Sequence, residues 1–236
     1  MRSLLAGVLL MGLGGVSASG VVIDYDGSGS PGGVTPEGFS FVVFGGTSWS
    51  SDGDVLTLTT GPSRGIWFGN ANHASGFSVP WQVGSSSEGN YLRVRAKLGE
   101  GATEWSLYLY DKDFYVGFGL DADVLSWGTA GGGGSMAWDP TEWHVYEFLM
   151  KDGVVTYRVD ESRVLYHGPA VASSVPTGFM VMGDGSGSTP TGTGSMLFDE
   201  VLYMTSPDFE IVPEPAGVAV LGLGLLGLRR RGGGRV

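Results

Sequence analysis

Four times the chain places two aspartates two residues apart: Asp24 and Asp26, Asp52 and Asp54, Asp111 and Asp113, and Asp121 and Asp123. Carboxylates at this spacing share one face of a strand or converge at a turn, and hard oxygen ligands of that kind suit calcium. None of the four lies in the full calcium-loop pattern of alternating acids, a glycine and a distant glutamate. The same residues therefore also read as solvated turn aspartates. Asp184, in the run Asp184-Gly185-Ser186-Gly187-Ser188, is a further oxygen donor. Calcium is the one cofactor to which these residues point.

Seven tryptophans offer a second chemistry, because the flat apolar faces of sugars pack on aromatic rings. Trp49, Trp81, Trp127 and Trp138 stand beside polar, glycine-rich stretches and are the candidates for a sugar platform, whereas Trp105 and Trp143 fall in strand patterns and are assigned to the core. His73, His144 and His167 are too widely spaced for a zinc site. There is no cysteine, so thiol chemistry and a disulfide framework are excluded. No phosphate-binding loop occurs, and the run Gly131 to Gly134 lacks the lysine and helix that such a loop needs. Two carboxylates on different strands could approach to the ~5 Å of a retaining glycosidase, but no pair singles itself out.

The elements that would position these groups are strands. In Tyr91 to Leu98, Leu92, Val94, Ala96 and Leu98 alternate with Arg93, Arg95 and Lys97, the two-residue period of a strand with one wet face. Glu104 to Tyr110 and Phe114 to Leu120 repeat the pattern, and Asp111 to Asp113 between them suits a tight turn. Trp143 to Lys151, the turn Asp152-Gly153 and Val154 to Asp160 form a second hairpin. Further strands are expected at 21–25, 55–59, 65–68, 178–182 and 196–204, with glycine-rich loops at 128–135 and 183–195. So many antiparallel strands in one domain need two packed sheets, and the expected fold is an all-β, two-sheet antiparallel jelly-roll sandwich.

Glu142-Trp143-His144-Val145-Tyr146-Glu147-Phe148, followed by Asp152-Gly153 and Tyr157-Arg158-Val159-Asp160, resembles the central hairpin of concanavalin A-like and laminin G-like domains. Phe198-Asp199-Glu200-Val201 is similar to the segment that closes such domains. Glu161 stands where that family usually has glycine. The resemblance implies the sandwich and a calcium site at its rim. Jelly-roll glucanases of this fold carry their acids on one strand as Glu-x-Asp-x-Glu or with one extra residue; no such segment occurs here, so the core is expected to be noncatalytic.

The ends of the chain carry two apolar runs. Arg2, the run from Leu4 to Val16 and the small residues Ser17 to Gly20 have the order of a signal peptide, cleaved after Ala18 or Gly20. At the other end Val212, Pro213, Glu214 and Pro215 precede an apolar run from Ala216 to Leu228 and then Arg229, Arg230 and Arg231. Arginines resist translocation, so the run is expected to form a short transmembrane helix with the rest of the chain outside. These residues resemble the sorting tail of PEP-CTERM proteins. That resemblance implies an exosortase-type membrane protease as partner and an exported, transiently membrane-tethered protein bound for the cell envelope or extracellular matrix. The expected organisation is a signal helix over 1–20, a sandwich over 21–211 and a sorting tail over 212–236.

With 24 acidic residues against 13 basic ones the formal charge is −11, which excludes nucleic acid as a partner. The expectation is a noncatalytic sandwich that binds extracellular polysaccharide or serves structurally. The alternatives are a glycan-cleaving hydrolase on the same fold and a ligand-free coat protein.

Overall fold

The computed structural model describes residues 22–27, 40–43, 47–61, 66–69, 83–102, 104–173, 178–184 and 194–205. They form strands β1 (Val22–Tyr25), β2 (Ser40–Val43), β3 (Ser48–Ser51), β4 (Leu56–Thr59), β5 (Ile66–Gly69), β6 (Asn90–Leu98), β7 (Glu104–Asp111) and β8 (Phe114–Asp121). There follow β9 (Val124–Trp127), β10 (Gly134–Ala137), β11 (His144–Lys151), β12 (Val154–Val159), β13 (Arg163–Pro169), β14 (Val171–Ala172), β15 (Gly178–Asp184) and β16 (Ser195–Thr205). The first sheet runs β13-β12-β11-β6-β16-β4-β3 with β1 against β16, and the second runs β10-β9-β8-β7-β15-β5-β2 with β14 against β8. This is the two-sheet antiparallel sandwich that the alternation requires.

Alternation also builds the core. In β6 the even-numbered residues Asn90 to Leu98 are buried and the odd-numbered ones are half-buried, so one face of the strand enters the sandwich. From the second sheet, Trp105 packs edge-on against Tyr146 and Phe198 of the first, with ring centroids 5.9 and 5.2 Å away. Phe118 stacks on Phe148 at 4.8 Å and meets Tyr157 at 5.0 Å. Burying an aromatic ring of this size contributes about 1.5–3 kcal/mol, and such contacts run the length of the sandwich.

A bulge in β16 keeps its two halves in register with the core. The pairing with β6 shifts between Phe198 and Glu200, leaving Asp199 as the extra residue. Phe198 and Val201, three apart, are thereby both fully buried. Without the bulge one of the two would point to solvent.

Tight turns follow the expected chemistry. Asp152 and Gly153 both take positive φ, 50° and 75°, as a two-residue turn matched to strand twist requires. The turn after β12 holds Asp160 and Glu161 at φ 50° and 63°; Glu161 thus adopts the left-handed conformation that glycine would take more easily.

Four expectations need correction. Trp143 lies just before β11, on the outward parity of that strand, and is absent from the core cluster, whereas Trp105 is fully buried. Part of the 128–135 stretch pairs as β10 with β9 rather than remaining a loop. The N-terminal and C-terminal helices have no counterpart among the described residues: the one helix there is a single 3-10 turn, Ser86–Glu88, and none is long and apolar enough to cross a membrane. Residues 1–20 and 212–236, including Val212, Pro213, Glu214, Pro215, Arg229, Arg230 and Arg231, lie outside the described residues. The physical ground for the last correction is in the chain itself: the run from Ala216 to Leu228 is interrupted by Gly217, Gly222, Gly224 and Gly227 and falls well short of the ~20 apolar residues a span needs.

Candidate functional site

Register brings reactive side chains together on the outer face of the second sheet. The two-residue turn Lys112-Asp113 sets β7 against β8, so Tyr110 faces Tyr115, Tyr108 faces Gly117, Ser106 faces Gly119 and Glu104 faces Asp121. β9 extends the serine row by placing Ser126 beside Gly119. All of these but Tyr110 line a trough of about 300 Å³, with Trp127 and Gly128 on its far side. Its rows repeat every two residues, so the trough runs about 20 Å from its tyrosine end to its carboxylate end.

Each end has a distinct chemistry. At the tyrosine end Tyr110 stacks on Tyr115 at 5.3 Å and on Phe179 at 4.3 Å, with interplanar angles of 20° and 18°. Desolvation, reinforced by the neighbouring Tyr108 and Tyr115, pushes the Tyr110 hydroxyl above its ordinary pKa, so it remains a neutral donor. At the other end Glu104 and Asp121 stand directly opposite each other on adjacent antiparallel strands, a position that puts Cβ atoms roughly 4.5–5.5 Å apart. Glu104 is half-buried and Asp121 exposed. Among the described residues no lysine or arginine lines the trough.

The floor is low because two outward positions of β8 are glycines. A Cβ at Gly117 would lie 2.5 Å from the Tyr108 ring, and one at Gly119 would lie 2.7 Å from Ser126 Oγ. Tyr108 therefore lies flat over Gly117. Beneath the floor the core Tyr157 hydroxyl accepts from Gly117 N–H at 3.0 Å and donates to the Gly128 carbonyl at 2.7 Å. It satisfies backbone groups of the sheet from inside the sandwich.

The metal candidates do not converge. Asp52 Oδ1 accepts from the backbone N–H groups of Asp54 and Val55, which lowers its pKa. Asp111 Oδ1 accepts in the same way from Asp113 and Phe114. Asp24 and Asp26 are exposed at the end of β1 and Asp123 is exposed in the turn after β8. Asp184 ends β15 opposite Ile66. Among the described residues no group of three or more His, Asp or Glu could hold a metal ion. Asp52 and Asp111 thus serve as turn caps.

Of the described tryptophan candidates Trp127 lines the trough, whereas Trp49 and Trp138 do not. Trp49, Trp127 and Trp138 are partly buried against the core, and Trp81 lies outside the described residues. Trp138 donates to the Tyr146 hydroxyl at 3.2 Å and packs on His144 at 4.2 Å. His144 is itself held between the Asp160 carboxylate at 2.9 Å and the Asp139 carbonyl at 3.0 Å. The other rings that line the trough are Tyr108, Tyr115 and Phe118, and Glu104 is not distinctive in the sequence because its partner is 17 positions away. One signal could have found it: a two-residue turn at Lys112-Asp113 fixes the pairing of every residue back to Glu104.

The chain matches no family model and no curated protein. The resemblance of residues 212–231 to a sorting tail thus finds no support, and with no membrane-crossing helix among the described residues the protease partner and the membrane-tethered export route are withdrawn. Solved structures do match. The catalytic domain of an endo-1,3-β-glucanase (laminarinase) from Thermotoga petrophila RKU-1 aligns with TM-score 0.52 at 11% identity, over 79% of this chain and 98% of that one. A pseudo β-1,3-glucanase of Mycobacterium tuberculosis aligns with TM-score 0.50 at 13% identity, over 78% and 98%. An alginate lyase of polysaccharide lyase family 7 aligns with TM-score 0.50 at 11% identity, over 68% and 82%. Such identities establish the fold alone. The expectation of a noncatalytic core is withdrawn: it rested on a missing one-strand motif, and this fold houses hydrolases and a lyase, so that missing motif does not exclude catalysis. The chain is an all-β sandwich similar in fold to jelly-roll glycan hydrolases and lyases.

Proposed function

We propose that the trough on the second sheet cleaves an uncharged glycan, with Glu104 and Asp121 as its acid pair. The observation that carries this reading is their direct cross-strand pairing. Carboxyl groups ~5–5.5 Å apart suit retaining hydrolysis, and facing residues on adjacent strands start from Cβ atoms at about that separation.

In that chemistry one carboxyl group gives its proton to the glycosidic oxygen as the bond to the anomeric carbon breaks, and the other carboxylate bonds to that carbon. Water then displaces the carboxylate, returning its proton to the first group. Ser106 and Ser126 offer hydroxyls along the floor, and Tyr108 and Tyr115 offer ring faces on which sugar rings pack. Acidic glycans are disfavoured because the trough presents Glu104 and Asp121 with no cation beside them.

The test is release of reducing ends from a panel of neutral polysaccharides by the full chain, compared with Glu104→Gln and Asp121→Asn. Each variant is expected to lose at least 100-fold in rate while retaining the wild-type thermal midpoint. Cleavage that survives both substitutions, or no cleavage of any neutral glycan, overturns the reading.

A further inference from the structure

The opposite face of the sandwich carries most of the chain's described cations. Arg93, Arg95 and Lys97 point outward from β6, and Arg158 points outward from β12. Three of the four are matched: Arg93 with Glu161 and Glu200, Arg95 with Asp199, and Arg158 with Glu147. Lys97 has no carboxylate partner among the described residues. It is instead drawn to an aromatic ring: Lys97 Nζ lies 5.3 Å from the centroid of Trp143, and Arg95 Cζ lies 4.9 Å from it. A cation over an indole face gains about 0.5–1 kcal/mol at an exposed site, so the ammonium is positioned without being neutralised.

Lys97 also forms a wall of a groove of about 590 Å³, together with Thr57, Glu100, Thr141 and Ser195, a volume within the usual range for small-molecule sites. The segment bearing Thr141 and Trp143 is tied to β6 by the Leu98 N–H, which donates to the Pro140 carbonyl at 2.7 Å. The Asp139 carboxylate caps Thr141, accepting from its N–H at 3.0 Å and its hydroxyl at 2.6 Å. Lysine, indole and hydroxyls are therefore presented from fixed backbone, and Trp143 is half-buried, leaving part of its ring open.

We propose that Lys97 and Trp143 bind a uronic acid residue of an acidic polysaccharide, its carboxylate on Lys97 Nζ and its ring against the indole. Glu100 on the far wall is exposed. It accepts sugar hydroxyls and bars a second anion, which favours a chain with one carboxylate per sugar over a denser polyanion. This site is separate from the trough and does not depend on its chemistry.

The test is titration of the full chain with a defined oligogalacturonate and with the same oligomer fully methyl-esterified, at low and high salt. The acidic oligomer is expected to bind, and the ester to bind at least 10-fold more weakly. Lys97→Gln is expected to lose the same factor together with the salt dependence, and Lys97→Arg to retain most of both. Trp143→Ala is expected to lose binding; should it fail to fold, Trp143→Leu replaces it. Unfolding midpoints serve as the control, because half-exposed Lys97 makes no ion pair that the fold would miss. Equal binding of acid and ester, unchanged affinity in Lys97→Gln, or no binding by the wild type overturns the proposal. Cleavage of neutral glycans by Lys97→Gln is expected to match the wild type, so this site can fail while the trough stands, or the reverse.

Discussion

Arg93 Nη2 lies 2.7 Å from Glu161 Oε1, while Arg93 Nε lies 2.8 Å from Glu200, so one guanidinium bridges the β12–β13 turn and β16. Glu161 holds φ at 63°, which costs a side-chain-bearing residue roughly 1–2 kcal/mol. Its carboxylate is 60% exposed, and an ion pair at such a site contributes about 0–1 kcal/mol. Relief of backbone strain therefore exceeds the loss of the pair, especially as Arg93 keeps Glu200. Glu161→Gly is expected to raise stability by about 0.5–1 kcal/mol, and Glu161→Ala, which retains the strain and loses the pair, to lower it. Thermal unfolding of both variants checks the order; a destabilised glycine variant contradicts it.

Glu147 is 2% exposed on the outer face of the first sheet. Arg158 grips it with two bonds, Nε to Oε2 at 2.8 Å and Nη2 to Oε1 at 2.7 Å, and the Tyr91 hydroxyl donates to Oε1 at 2.5 Å. Arg158→Met leaves that carboxylate without its cation, and a loss of about 3–5 kcal/mol is expected in urea unfolding. The double variant Glu147→Leu with Arg158→Met is expected to recover most of it, because an apolar pair has no charge to desolvate. If the double variant is as unstable as the single one, packing rather than charge is what Arg158 supplies.

Asp111 is buried at the end of β7, with Oδ1 capping the turn and Oδ2 without a hydrogen-bond partner. Burial raises its pKa above the ordinary 3.8. In the native protein it thus holds its proton after the unfolded chain has released it. The stability this supplies is complete below pH 3.8 and is lost as pH rises through the native value. Asp111→Asn keeps the Oδ1 cap without the charge. Its midpoint relative to wild type is expected to climb as pH rises from 3.5 toward 7; parallel curves contradict the assignment.

Gly119 lowers the trough floor between Ser106 and Ser126. A Cβ there would meet only the Ser126 hydroxyl, at 2.7 Å, which can turn away at the cost of its 3.2 Å bond to the Gly119 carbonyl, and β-branched residues suit strands. Gly119→Val is expected to fold with a midpoint within a few degrees of wild type and to lose at least 10-fold in affinity for neutral oligosaccharides. Unchanged affinity would place the ligand elsewhere.

Much of this architecture was legible in the chain. The alternation around Leu92, Val94 and Ala96 reports a half-buried strand, and Asp152-Gly153 reports its hairpin, because both signals are local consequences of sheet pleat and twist. β13 was missed because much of its length is exposed on both faces, so no alternation marks it. β10 was hidden in a glycine run whose pairing with β9 is a tertiary event. Trp143 misled for a different reason: it extends an aromatic strand, but its odd-numbered position shares the outward face of Val145 and Glu147. The acid pair lies at the third level, since neither Glu104 nor Asp121 is distinctive until the turn between them fixes their register. The tail signal was the reverse case, a vivid local pattern that no family comparison supports.

The geometry of Glu104 and Asp121 is tested most directly by the anomer first formed on hydrolysis of a neutral oligosaccharide by the full chain, followed by proton NMR before mutarotation. Facing positions on adjacent strands place the two Cβ atoms ~4.5–5.5 Å apart, a spacing that suits the close carboxyl pair of retaining hydrolysis, so the product is expected to retain the configuration of the cleaved bond. An inverted product would require carboxyl groups ~6.5–9.5 Å apart. That result would contradict the assignment of these two residues.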